Sequence, residues 1–130
     1  ADPIQFVAAD AAYEVGRGLI MIDPIVNRFD GQKMKETYNA YYENLPKKLN
    51  CLEDLLGDSQ FYGGDKPCYA DFGVWHYLDN TETVKHGSVT SQKLRDWMKR
   101  VASLPEVAKY LTERPPIREE RLQMIEALNA

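Results

Sequence analysis

Seven apolar side chains, each three or four residues after the previous one, run from position 34 to position 56 of the chain. They are Met34, Tyr38, Tyr42, Leu45, Leu49, Leu52 and Leu56. An α-helix completes a turn every 3.6 residues or so, about the mean of these spacings, which places all seven on one side of a single long helix. Such a stripe needs other elements to cover it, so this stretch predicts a helix packed in a larger core.

The rest of the chain repeats the helical spacing. Residues 4–28 are predicted to form a helix that begins rich in alanine and is kinked or ended by Pro24. A further stripe occupies residues 94–101, another helix starts at Pro105, and residues 117–128 again carry apolar side chains at helical intervals. No stretch alternates apolar and polar residues as a β-strand does. The predicted fold class is all-α, a helical bundle.

Length and charge narrow the function classes. A chain of 130 residues is predicted to form one domain over residues 4–130, because residues 1–3 fit no later pattern and are interpreted as an expression remnant. Its 16 basic and 20 acidic side chains give a net charge of −4 without a block of either sign, which argues against a nucleic-acid partner. No apolar run approaches the roughly 20 residues of a membrane span, which argues against a membrane partner.

Cysteine and histidine usage argues against a metal site. Cys51 and Cys68 lack the spacing of a zinc motif, and His76 and His86 lie ten positions apart in different surroundings. Two cysteines do not make a disulfide framework, so a reduced, cytoplasmic compartment is the default prediction.

The stretch "CYADFGVWHYLD", from position 68, is predicted to start a helix. Asp71 follows Cys68 by three residues, the spacing of a capping box, in which the carboxylate accepts a hydrogen bond from the backbone N–H of the cap. The helix that follows is apolar on nearly every side, so it is predicted to be central, with large buried areas on Tyr69, Trp75 and Tyr77. A capping box at Cys68 and Asp71 is therefore the structural interpretation.

The functional alternative makes Cys68 a nucleophile whose pKa is lowered by the helix N-terminus. A nucleophile also needs a base, and the nearest histidine in sequence, His76, lies two turns along the helix and points elsewhere. The capping box needs only the local spacing, so we favour it and predict no catalytic residue in this chain.

Three stretches in order resemble the C-terminal helical domain of cytosolic glutathione transferases, most like the mu, pi and sigma classes. "ENLPKKLNCLEDLLGD" looks like the family's second long helix, and "FYGGDKPCYADFGVWHYLD" is similar to its Phe-x-x-Gly-x-x-x-Ser/Thr-x-x-Asp signature. "LRDWMKRVASLPEVAKYLTERP" looks like the later helix, the Leu-Pro restart and the final Tyr-Leu-x-x-Arg-Pro. The resemblance covers roughly residues 8–116, and Cys68 departs from it by replacing the usual Ser or Thr.

The resemblance implies a complete enzyme that joins glutathione, its co-substrate, to hydrophobic electrophiles in detoxification, as a cytoplasmic homodimer. A thioredoxin-like N-terminal domain would bind glutathione and activate its thiol, and that domain is absent from this chain. The present chain would then supply a hydrophobic wall of the electrophile site and dimer contacts, and it would be inactive alone.

The resemblance also implies site residues in the first helix. Aligning Asp10 with the family's early helical aspartate places Arg17, Met21 and Ile25 along the face toward the substrate pocket, and Tyr13 is assigned to the same apolar wall. For Met21 and Ile25 the alternative is ordinary core or dimer packing, and for Arg17 it is a solvated surface position. No glutathione-binding residue is assigned.

Two other functions stay open. Gly18 stands where several relatives carry a carboxylate that contacts glutathione of the other subunit, so a non-catalytic, transferase-like scaffold in a multiprotein assembly is the first alternative. The second is a ligand-holding domain in which Tyr13, Met21, Ile117 and Leu122 form an apolar cleft.

Overall fold

The computed structural model describes Tyr13 and residues 22–23, 26–28 and 30–130. These parts of the chain contain five α-helices and no β-strand beyond one isolated bridge between Phe61 and Gly64. In chain order the helices are α1 (Gly31–Leu56), α2 (Tyr69–Val84), α3 (Gln92–Ala102), α4 (Pro105–Glu113) and α5 (Glu119–Asn129). The predicted all-α fold is confirmed, while most of the helix predicted over residues 4–28 lies outside the described residues.

Helix α1 contains the whole apolar stripe from Met34 to Leu56. Asp30 caps its first turn, since one carboxylate oxygen accepts from the N–H groups of Gln32 at 3.0 Å and Lys33 at 3.1 Å. The helix ends at Gly57, whose φ of 58° lies in the left-handed region that glycine adopts without strain. Six of the seven stripe residues are buried and Met34 is partly buried, so this face forms one side of the core.

Helix α3 packs against α1, α2 and α4. Its apolar face is fully buried at Leu94, Trp97 and Val101. Ser91 sets its start, because the Ser91 hydroxyl accepts from the Leu94 N–H at 3.2 Å and donates to the Glu53 carboxylate of α1 at 2.7 Å. The helix start and its docking on α1 therefore depend on the same hydroxyl.

Two buried tyrosines join α1 to α2 through Thr81. The Tyr42 hydroxyl donates to the Thr81 carbonyl at 2.9 Å, and the Tyr41 hydroxyl lies 2.8 Å from the Thr81 hydroxyl. Because Thr81 donates its own proton to the Tyr77 carbonyl at 2.8 Å, Tyr41 is the donor to Thr81. Burial raises the pKa of Tyr41 to about 12 and also raises the pKa of Tyr42, so both hydroxyls keep their protons near neutral pH.

Helix α5 confirms the helical spacing of the tail and lies against α1. Its C-terminal end is held by polar contacts: the Lys35 ammonium donates to the Leu128 carbonyl, and the Tyr38 hydroxyl donates to the Asn129 side-chain oxygen. Asn129 in turn donates to the Val84 carbonyl at the end of α2, at 2.8 Å. Leu128 is the buried side chain of this helix.

Helix α2 is less enclosed than its composition predicts. One side is buried at Ala70, Val74 and Leu78, whereas Tyr69 is 56% exposed on another side. Trp75 and Tyr77 are only partly buried. The prediction of a helix buried all round, with a large buried area on Tyr69, is wrong because the described chain covers only part of its circumference.

Candidate functional site

A buried carboxylate lies where the α2 N-terminus meets the preceding loop. Asp71 is 0% exposed. One of its oxygens accepts from the Tyr62 N–H at 2.8 Å and the Trp97 indole N–H at 3.0 Å. The other accepts from the Cys68 N–H at 2.8 Å and the Gly63 N–H at 3.4 Å. We call this carboxylate with its four donors the Asp71 node.

The Asp71 node is suited to stabilising the fold and not to catalysis. The bond from the Cys68 N–H is the contact that a capping box requires, and the other three donors tie α2 to the loop and to α3. Both oxygens are occupied, and no solvent reaches the side chain. A general base needs a free lone pair directed at a substrate, which this carboxylate does not offer.

Cys68 lacks the character of an activated thiol. Its sulfur stands at the position of the capping hydroxyl, where sulfur is a weak acceptor. Burial raises the pKa of the Cys68 thiol, and the neighbouring Asp71 carboxylate also acts in that direction. His76 is exposed and engaged with the Asn80 side chain at 3.3 Å. A raised pKa is the opposite of what the nucleophile alternative requires.

An apolar groove of about 420 Å³ lies on the exposed side of α2. It is lined by Phe72, Trp75, His76, Val101, Glu106, Val107 and Tyr110, and we call it the aromatic groove. Phe72 is 45% exposed and Tyr110 is 55% exposed. The Trp75 indole N–H donates to the Met98 carbonyl at 3.0 Å, which fixes one wall. The arrangement offers flat apolar surface with few polar groups, which suits an apolar partner or ligand.

A second cleft, of about 510 Å³, lies between α2, the end of α4 and the start of α5. We call it the arginine cleft, because Arg114, Arg118 and Arg121 are among its lining residues. Arg114 donates to the Asp79 carboxylate at 2.9 Å, and both side chains are partly exposed. This pair joins the end of α4 to the middle of α2.

The residues predicted to contact substrate lie mostly outside the described part of the chain. Tyr13 is helical and 64% exposed, while Arg17, Met21 and Ile25 are not among the described residues. Ile117 lines the arginine cleft, and Leu122 is exposed. Both the pocket wall and the apolar cleft of the ligand-holding alternative therefore stay predictions.

Sequence reasoning missed the aromatic groove. Val107 and Tyr110 were assigned only to the helix predicted to start at Pro105. The available signal was that the helix starting after Cys68 is apolar on nearly every side, which is more than a short chain can cover. Among the described residues no group of three His, Cys, Asp or Glu side chains could hold a metal ion. None of the helices that the structure describes is both long and apolar enough to cross a membrane.

Comparison with known proteins agrees with the helical fold. The family model "Glutathione S-transferase, C-terminal domain" matches residues 21–114. This match covers more than half of the chain, so the chain belongs to that family.

Individual relatives match over a shorter span. The chain is 31% identical over 83 residues to "Glutathione S-transferase Mu 1" of Oryctolagus cuniculus, which covers 63% of this chain and 37% of that protein. It is 29% identical over 72 residues to "Glutathione S-transferase Mu 2" of Mus musculus, covering 55% of this chain and 33% of that protein. A "Glutathione S-transferase" of Dermatophagoides pteronyssinus is 27% identical over 77 residues, covering 58% of this chain and 35% of that protein. The matched region spans about a third of the length of each relative.

Proposed function

We propose that this chain is the C-terminal domain of a glutathione transferase and works beside a thioredoxin-like domain. In the complete protein it contributes a hydrophobic wall of the electrophile site and contacts between the subunits of a homodimer. Detoxification of electrophiles, a cytoplasmic location and membership of the mu, pi or sigma group belong to this proposal. Family membership and the names of the relatives support it.

The observation that carries the proposal is the uncovered aromatic groove. Phe72 of α2 and Tyr110 of α4 leave about half of their surfaces open to water, although the other side of α2 is fully packed. Burying such aromatic area stabilises an interface by roughly 25 cal/mol per Å². A partner domain that covers the groove therefore accounts for apolar side chains that the chain alone leaves exposed.

The electrophile wall is assigned to the segment before α1. Tyr13, Arg17, Met21 and Ile25 recur every four residues, which is a helical spacing, and Tyr13 is exposed and helical. Ile22, in the same stretch of sequence, is buried in the core. A wall at this position would orient an apolar electrophile for attack by a thiolate held on the partner domain.

Neither Cys68 nor Asp71 at the start of α2 is suited to activating glutathione. Cys68 has a raised pKa and Asp71 is saturated with donors, so the thiol-activating residue is assigned to the partner domain. The bond-forming step is attack of the glutathione thiolate on the electrophilic carbon of the substrate, with loss of its leaving group or uptake of a proton. This chain alone should not catalyse that step.

The test uses the natural polypeptide that contains this domain, prepared with its upstream sequence. We expect it to bind immobilised glutathione and to conjugate glutathione to an aryl halide. Tyr13→Ala and Met21→Ala should raise KM for the aryl halide several-fold and leave KM for glutathione unchanged, because only the electrophile wall is altered. The control is Cys51→Ala, at an exposed position on α1. Absence of both glutathione binding and conjugation would refute the proposal.

Gly18 favours a second candidate, the non-catalytic scaffold. Glycine has no side chain to contact glutathione across subunits, where several relatives have a carboxylate. A scaffold would use the aromatic groove to hold another protein of an assembly. Binding of immobilised glutathione by the full polypeptide separates the two, because the enzyme requires it and the scaffold does not.

A further inference from the structure

The arginine cleft is positively charged in a chain that is negative overall. Its lining carries the three guanidinium groups of Arg114, Arg118 and Arg121 against the single carboxylate of Asp79, which leaves a net charge of +2. The whole chain carries −4. A concave surface of one sign concentrates ions of the opposite sign, so this cleft attracts anions although the chain repels them elsewhere.

Two of the three guanidinium groups are free to bind. Arg114 is engaged with Asp79, whereas the Arg118 and Arg121 side chains make no hydrogen bond or ion pair within the part of the chain that the structure describes. Arg118 is the N-cap residue of α5 and Arg121 lies in its first turn, and both line the cleft. The acidic residues of that turn, Glu119 and Glu120, do not line the cleft.

The other wall of the cleft is apolar. It consists of Leu111 from α4, Pro115 and Pro116 from the link, and Ile117. Because proline fixes its own φ, the two prolines restrict the backbone between the end of α4 and the start of α5. The cleft therefore combines an apolar wall with paired donors. Its volume of about 510 Å³ is that of small-molecule sites.

We propose that the arginine cleft binds a small-molecule phosphate monoester with a compact apolar body. Arg118 and Arg121 take the phosphate, since guanidinium groups form paired, charge-assisted hydrogen bonds with its oxygens. The charge of a phosphate monoester, about −1.5 to −2 at neutral pH, matches the +2 of the lining. The apolar body lies on Leu111 and Ile117. This site is independent of the proposed glutathione chemistry and stands if that proposal fails.

The test is titration of this 130-residue chain with phenyl phosphate at low ionic strength, followed by nuclear magnetic resonance and calorimetry. We expect saturable binding with shifts confined to residues of the cleft. Arg118→Gln combined with Arg121→Gln should weaken binding at least about tenfold. The matched control is Arg95→Gln, which removes an exposed arginine on α3 outside the cleft and should leave Kd unchanged. Circular dichroism checks that each variant is folded.

Further ligands and variants test the two halves of the site. Phenol should not bind, because it lacks the phosphate. Inorganic phosphate should bind more weakly than phenyl phosphate, because it lacks the apolar body. Affinity should fall below about pH 6, where the phosphate loses one negative charge. Asp79→Asn should strengthen binding, because it frees Arg114. Absence of saturation at millimolar ligand, or an equal loss in Arg95→Gln, overturns the proposal, and so does inorganic phosphate binding as tightly as phenyl phosphate.

Discussion

Asp71 and Phe72 are neighbours in sequence and lie in opposite environments. The carboxylate of Asp71 is fully buried with four hydrogen-bond donors, while the aromatic ring of Phe72 is 45% exposed beside a groove. Residues of the same side as Asp71, such as Val74 and Leu78, are also buried, and those of the other side, such as Tyr69 and His76, are exposed. The polar side chain is inside and the apolar one is outside.

The difference separates what this chain needs to fold from what it presents to a partner. A buried carboxylate is costly unless its oxygens are satisfied, so the Asp71 node persists only because the loop and α3 supply donors. An exposed aromatic ring contributes little to the stability of the chain alone. Substitutions on the node side should therefore change stability, and substitutions on the groove side should change association.

Asp71→Ala tests this division most strongly. Removing the carboxylate leaves three backbone N–H groups and the Trp97 indole without an acceptor, so we expect a loss of about 3 kcal/mol or more in the free energy of unfolding. Urea denaturation measures it. Asp71→Asn keeps one acceptor oxygen and should lose less, which gives a measurement if the alanine variant does not fold. Asp65→Ala, in the same loop and exposed, should change stability by less than about 0.5 kcal/mol.

A comparison of two glycines extends the same test to the backbone. A Cβ at Gly63, beside the node, would lie 2.3 Å from the Lys66 carbonyl oxygen, so Gly63→Ala should cost about 1–3 kcal/mol. Gly73, within α2, has open space around its Cβ position, and Gly73→Ala should add about 0.5–1 kcal/mol of helix stability. Thermal melts of both variants measure the contrast. If both variants changed the melting temperature by the same amount and in the same direction, the close approach at Gly63 would not limit stability.

Alkaline pH tests the buried side of α2, because the hydroxyls of Tyr41 and Tyr42 are hydrogen-bonded to Thr81 of that helix. The pKa of Tyr41 is about 12 in the folded chain and about 10 when unfolded, so between these values the folded state holds the proton more tightly. Its stabilising contribution is complete below pH 10 and is lost as the pH rises through 12, at up to about 1.4 kcal/mol per pH unit. Urea midpoints between pH 9 and pH 12, against Tyr41→Phe, measure the slope. An unchanged slope in that variant would contradict burial as the cause.

Phe72→Ser should have the smallest effect on the chain alone. Because the ring is 45% exposed beside the groove, we expect the free energy of unfolding to change by about 0.5 kcal/mol or less. In the complete polypeptide the same substitution should weaken attachment of the partner domain, seen as faster proteolysis between the domains. A loss on the scale of Asp71→Ala would mean that the groove side belongs to the core.

Local spacing predicted much of the fold. The stripe from Met34 to Leu56 became α1, and the interval from Cys68 to Asp71 predicted a contact that the structure contains. Both depend on residues close in sequence, for which helical geometry gives the distance. The bond from Trp97 to Asp71 spans 26 residues, and no spacing rule reports a contact set by the packing of two helices.

Exposure was less predictable than helix formation. Apolar periodicity indicates that a helix face is covered, but it does not identify the element that covers it. Tyr69 was therefore predicted to be buried, although its side chain is 56% exposed in this chain. The arginine cleft could not be predicted from the sequence either, because Asp79 lies 35 residues from its partner Arg114. It forms only when the end of α4 folds back onto α2.

The Asp71 node has a consequence for the order of folding events. Three of its four donors lie within nine residues of the carboxylate, so the loop they close is short and loses little chain entropy. We therefore expect the turn closed by the Phe61–Gly64 bridge and the first turn of α2 to form together early, on the timescale of local loop closure. The Trp97 indole bond spans 26 residues and requires α3 to dock, so we expect it to form after this local unit.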